Sequence, residues 1–137
     1  MKKDLGFLNE GEKALQMKSQ IAVRVFLEDL SNAAAFAQSV REQLSPFGDI
    51  LRLETKAYWK IPNWTEIFLI AQPVATIKPA SAFNRILSSL GEGWERHGAG
   101  DEEFQWAVWN PKSGCTFRWQ HVRWANVELF PEPRQTD

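Results

Sequence analysis

Leu51 to Gln72 reads LRLETKAYWKIPNWTEIFLIAQ, and its two halves carry different periods. In the first, Leu51, Leu53, Thr55, Ala57, Trp59 and Ile61 alternate with Arg52, Glu54, Lys56, Tyr58 and Lys60, the period of two that marks a strand with one wet face. Pro62-Asn63 is a turn signal. From Thr65 to Gln72 apolar residues occupy both registers, as expected of a strand covered on both sides or set in the middle of a sheet. The two segments are therefore expected to pair as a hairpin.

Working outward, Ile21, Val23, Val25 and Leu27 share one face of an upstream strand, with Arg24 and Glu28 on the other. Asp29 or Ser31 can cap a helix whose stripe is Ala33, Phe36, Ala37, Val40 and Leu44, ended by Pro46 and Gly48. Downstream, Pro79 suits the first turn of a second helix carrying Phe83, Ile86, Leu87 and Leu90, which Gly91 and Gly93 stop. Trp94 to His97 and Phe104 to Trp109 suit a loose hairpin around Gly98 to Asp101. Asn110 to Gly114 is a second turn, and Thr116 to Trp119 and Val122 to Leu129 add strand character. Residues 1–19 show no clean period and fit a flexible or marginally helical arm, with 132–137 as a tail. The predicted fold is α+β: an antiparallel sheet with two helices on one face, a ferredoxin-like βαββα core extended by C-terminal strands. Its open face is expected to carry Arg52, Glu54, Lys56, Tyr58 and Lys60, with tryptophans from later strands beside them.

A length of 137 residues fits one domain, residues 1–137. With 44% hydrophobic and 24% charged residues, neither disorder nor a membrane protein is indicated. The N-terminus MKKDLGFLNEGEK lacks the apolar centre of a secretion signal, so a cytoplasmic location is expected. A single cysteine, Cys115, cannot form an internal disulfide and suits a reducing compartment. The net charge of −1 provides no global field for nucleic acid or an anionic membrane. Charge is nonetheless uneven. Glu92, Glu95, Asp101, Glu102 and Glu103 face only Arg96 within their stretch, whereas Lys112, Arg118 and Arg123 follow without an acid.

Five of the seven tryptophans, both histidines and the cysteine lie between Gly91 and Phe130. A zinc site needs ligands at close spacing, and His97, Cys115 and His121 form no such pattern; no metal or cofactor is expected. A small hydrolase or nuclease using His97 or His121 would need further groups to converge on the histidine, which sequence cannot show. Gly91-Glu-Gly93 and Gly98-Ala-Gly100 lack the strand and helix context of a phosphate loop. Tyr58, Trp59, Phe68, Trp106 and Phe117 are candidate stacking rings for RNA or single-stranded nucleic acid, though no strand combines glycine, aromatic and basic residues in the usual pattern. Protein recognition uses more of what is unusual, because Trp and Arg dominate interface energies. The expected partner-binding residues are Glu92, Glu95, Asp101, Glu102, Glu103, Trp109, Arg118, Trp119, Arg123 and Trp124, with no catalytic group among them.

In size, scattered tryptophan, acidic loop and the ending VRWANVEL (Val122–Leu129), the segment from Trp94 to Phe130 resembles the bacterial immunity proteins of polymorphic and contact-dependent-inhibition toxin systems. The resemblance implies a non-enzymatic protein that binds one toxin domain, often a nuclease, and blocks its active site or substrate groove. It also implies that Glu92, Glu95, Asp101, Glu102 and Glu103 mimic nucleic-acid phosphates against a basic toxin surface and steer association.

Overall fold

A computed structural model of the chain describes residues 19–28, 33–98 and 104–131. The first strand, β1 (Ser19–Leu27), is the spine of the molecule. It pairs on one side with β3 (Thr65–Pro73) and on the other with β8 (Val122–Pro131). Outside β3 lies β2 (Gly48–Ala57); outside β8 lie β6 (Gln105–Trp109) and then β5 (Glu95–His97). The six strands run β2-β3-β1-β8-β6-β5, and every pairing is antiparallel. Leu51 to Gln72 thus forms the expected hairpin, with the half that is apolar on both registers inside the sheet.

Two helices complete the α+β architecture. The first, α1 (Ala33–Leu44), runs into a 3-10 turn at Ser45–Phe47 and buries Ala37, Val40 and Leu44. The second, α2 (Pro79–Leu90), starts on Pro79 and buries Ala82, Phe83, Ile86, Leu87 and Leu90. One buried cluster joins both stripes to Ile21, Val23, Val25 and Leu27 of β1, to Ile67 and Leu69 of β3 and to Val127 and Leu129 of β8. The helices therefore share one side of the sheet, touching each other and the strands beneath. Fully buried residues such as Phe83, Ile86 and Leu90 each contribute about 2 kcal/mol by leaving water. No helix among the described residues is long and apolar enough to cross a membrane.

Three expectations need correction. Leu51 does not belong to the apolar row: a bulge lies between Ile50, opposite Ala71, and Arg52, opposite Ile70. The extra residue is turned out, leaving Leu51 51% exposed, and the row passes from Ile50 to Leu53. Trp59 and Ile61 also leave the row, because β2 ends at Ala57 and both side chains are exposed. Finally, β7 (Thr116–Phe117) does not extend the sheet; it pairs with β4 (Gly91–Glu92) in a separate two-stranded ribbon. The expected caps Asp29 and Ser31, the tail 132–137 and the arm up to residue 18 lie outside the described residues, and Ser19 opens β1.

Candidate functional site

Register assigns each sheet residue to a face. Opposite the helices lie Ala22, Arg24 and Phe26 of β1, paired with Ile70, Phe68 and Glu66 of β3 and with Glu128, Asn126 and Trp124 of β8. Arg52, Glu54 and Lys56 of β2 continue this face at one edge, and Val108 and Trp106 of β6 at the other. None of the described elements lies over it as a layer.

One end of this face is aromatic. The Phe26 ring meets Tyr58 edge-on at 4.6 Å and Trp124 at 5.3 Å, and Tyr58 lies nearly parallel to Trp64 at 6.3 Å. Local backbone explains why these rings converge. The Tyr58 N–H donates to the Trp64 carbonyl (2.8 Å), closing the β2–β3 loop, and Asn63 takes the left-handed conformation that asparagine tolerates (φ 69°). On β8 a register shift carries Trp124, opposite Phe26, to Val122, opposite Leu27, so the extra residue Arg123 turns outward. The Glu28 N–H holds that corner through the His121 carbonyl (3.0 Å). Phe26, Tyr58, Ile61, Trp64, Asn110, Arg123 and Trp124 line a groove of about 300 Å³. Beside it in the loop Trp59 is 81% exposed, with Lys60 Nζ 5.1 Å from its ring. Arg123 donates through Nε (2.7 Å) and Nη2 to a single oxygen, Oε1 of Glu28.

The middle of the face is polar and self-paired. Phe68 lies between the Arg24 and Arg52 guanidinium groups, 4.5 and 5.3 Å from its centroid. Arg52 Nε donates to Glu54 at 2.6 Å. Arg24 Nε is 3.2 Å from Glu66 Oε2 yet buried without an aligned hydrogen bond, so charge holds that pair and directionality does not.

Among the described residues, the expected partner-binding side chains do not form one patch. Trp109 is 4% exposed, and its indole N–H donates to the carbonyls of Glu92 (3.0 Å) and Thr116 (3.1 Å), tying β6 to the ribbon. A ring committed in this way is not presented to a partner. Trp119 packs on Phe36 of α1 at 5.1 Å, the helix side of the sheet, whereas Trp124 contacts Phe26 on the opposite face. Arg118 is exposed, with its N–H donating to the Leu90 carbonyl (2.7 Å). Glu92 is exposed on the ribbon and Glu95 on β5. Asp101, Glu102 and Glu103 lie outside the described residues.

The aromatic third is thus divided. Phe117 is the hub of its helix-side half, against Trp109 at 4.8 Å, Trp94 at 5.9 Å and Trp119 at 6.1 Å. Trp106 and Trp124 stay on the open face, Trp106 stacked on His97 at 5.1 Å. Sequence reasoning offered Tyr58 and Trp59 only as stacking rings and passed over Phe26, Ile61, Trp64 and Asn110 as site residues. The available signal was three large aromatics flanking Pro62-Asn63, a loop that has no core to fill.

The histidines do not converge. His97, beside Glu95 (3.6 Å), aligns through Trp106 with Glu128, whereas His121 precedes β8; the strand spacing between Glu128 and His121 is on the order of 20 Å. Cys115 is half-buried and donates to the Gly93 carbonyl at 3.5 Å. Among the described residues no three His, Cys, Asp or Glu side chains cluster as metal ligands. In comparisons with known proteins no family model matches the chain, and neither a curated protein nor a solved structure matches it.

Proposed function

We propose that this chain is a non-catalytic binding domain that recognises a folded protein through the aromatic end of its open sheet face. Its partner, on this reading, is a bacterial toxin domain, neutralised in the cytoplasm by having a functional surface covered. The observation that carries the proposal is Trp59, 81% exposed beside a groove built from Phe26, Tyr58, Trp64 and Trp124. Exposing an indole costs solubility and adds nothing to the core. At an interface, Trp, Tyr and Arg bury large areas at low entropic cost and dominate the binding energy. The exposed Glu92 and Glu95, with Asp101, Glu102 and Glu103 nearby in sequence, add negative charge that steers a basic partner.

The core is read as a split βαβ arrangement. The order β2-β3-β1-β8, with α1 joining β1 to β2 and α2 following β3, supports this, with β4 to β7 inserted before the last strand.

A second reading, single-stranded nucleic acid, is favoured by Phe68 at the centre of the face between two guanidinium groups. Against it, the two arginines flanking Phe68, Arg24 and Arg52, are each paired with a carboxylate: Glu66 and Glu54. A phosphate track needs cations that are not already neutralised.

The test is co-expression with the product of the gene immediately upstream. Toxicity of that product should be abolished by the wild-type chain, and Trp59→Ala should weaken purified binding at least tenfold while leaving the unfolding midpoint unchanged. A charge-reversed Asp101, Glu102 and Glu103 variant should lower the association rate. If the upstream product is neither toxic nor bound, or if Trp59→Ala binds it with unchanged affinity, the proposal fails.

A further inference from the structure

The groove has a chemical signature of its own. Its walls are four aromatic rings, the Tyr58 phenol and two indoles among them, and Ile61, with the Asn110 amide and Arg123, the one charged side chain among the lining residues. At about 300 Å³ it sits at the lower limit of small-molecule pockets, with room for one large side chain. A ring cage for a methylated ammonium would avoid a guanidinium at its mouth, because the cation in the cage and the cation on the rim repel. Glu28 occupies Nε and Nη2 of Arg123 through one oxygen only, and among the described residues nothing engages Nη1. Both side chains of that pair are roughly half exposed, at 47% and 44%, so a second carboxylate can join or replace Glu28 without a buried charge being stranded.

From this charge complementarity we infer that the groove is an anchor site for a partner's large apolar side chain followed by a carboxylate, the apolar group lying in the groove against Tyr58, Trp64 and Trp124 and the carboxylate pairing with Arg123. The inference rests on the protein-binding reading above and names the chemistry of the partner's anchor. Offset and edge-on ring contacts would hold the apolar part. Charge-assisted hydrogen bonds from the guanidinium fork would fix the carboxylate.

The test uses the full chain and two small probes, N-acetyl-L-phenylalanine and its uncharged amide, titrated while the indole N–H signals of the tryptophans are followed by NMR. The acid should shift the Trp64 and Trp124 signals, leave that of buried Trp109 in place, and bind at least fivefold more tightly than the amide. Arg123→Gln should abolish that preference with the Trp109 signal unchanged, Arg123→Lys should keep part of it, and Glu28→Gln should increase it. Equal affinity for acid and amide, shifts confined to other tryptophans, a preference that survives Arg123→Gln, or tetramethylammonium binding in place of the acid would each overturn the inference. Failure here is separable from failure of the proposed function. If the upstream product is captured while the acid leaves Trp64 and Trp124 unmoved, only the anchor chemistry falls; if the acid binds as described and the upstream product is not captured, only the toxin partner falls.

Discussion

At Gly91 the chain passes from α2 straight into β4 in extended backbone, φ 175°, a conformation open to any residue. Glycine is needed there for space: a Cβ would collide with the Thr116 carbonyl and press on Phe117 across the ribbon. Gly91→Ala should therefore force the two strands of the ribbon apart and cost about 2 kcal/mol, within the range of overpacking substitutions. A fall in the urea midpoint with unchanged slope would report it, and an unchanged midpoint would mean the ribbon yields freely. Trp59 is the opposite case. Its indole is large and aromatic, yet it stabilises nothing in the core; a marked loss of stability in Trp59→Ala would assign the ring a packing role and remove it from recognition.

Among the elements, the β4–β7 ribbon is the least expected and the most consequential. Two residues a side is too short to be stable alone. It persists because three indoles surround Phe117, and two of them serve as hydrogen-bond donors. Trp94 donates to the Leu87 and Gly91 carbonyls (3.0 and 3.1 Å), and Trp109 to those of Glu92 and Thr116. These bonds tie the indoles to the C-terminus of α2 and to the ribbon, the Leu87 carbonyl accepting from the Gly91 N–H as well. Phe117→Ala removes the ring shared by all three and should lower stability by about 2–3 kcal/mol, with Trp fluorescence shifting to longer wavelength as the indoles become hydrated. Unchanged emission and stability would show that the tryptophans pack without it. The β2 edge shows a different economy, with the bulge at Leu51 and outward Arg52 and Lys56 guarding a ten-residue edge strand against unwanted pairing.

For the molecule as a whole, charge decides between the two classes of partner. With a net charge of −1 and the arginines beside Phe68, Arg24 and Arg52, paired, association with a protein partner should change by less than about tenfold between 50 and 200 mM salt. A nucleic-acid track with several phosphate contacts would lose roughly a thousandfold or more over the same interval. Titration with single-stranded RNA at 50 mM salt should leave Trp fluorescence unquenched, and strong, salt-sensitive quenching would transfer the site to nucleic acid. Local pattern is enough to place β1, both helices and the pairing of the Leu51–Gln72 hairpin. A one-sided period marks β1, the helices and the first half of the hairpin, and a short run apolar on both registers marks its second half. The bulge at Leu51 and the end of β2 at Ala57 leave no mark in that pattern. Where the tryptophans face depends instead on contacts between distant segments. In Gln105–Trp109 the buried positions are Gln105, Ala107 and Trp109 and the open ones Trp106 and Val108, so no polar-to-apolar alternation marks the core side. Likewise β7 shows strand character but not its partner, since pairing with β4 depends on the end of a helix some 25 residues earlier in the chain. The groove is assembled from four separate stretches of chain, around Phe26, Tyr58 to Trp64, Asn110 and Arg123-Trp124, which the folding of the sheet brings together.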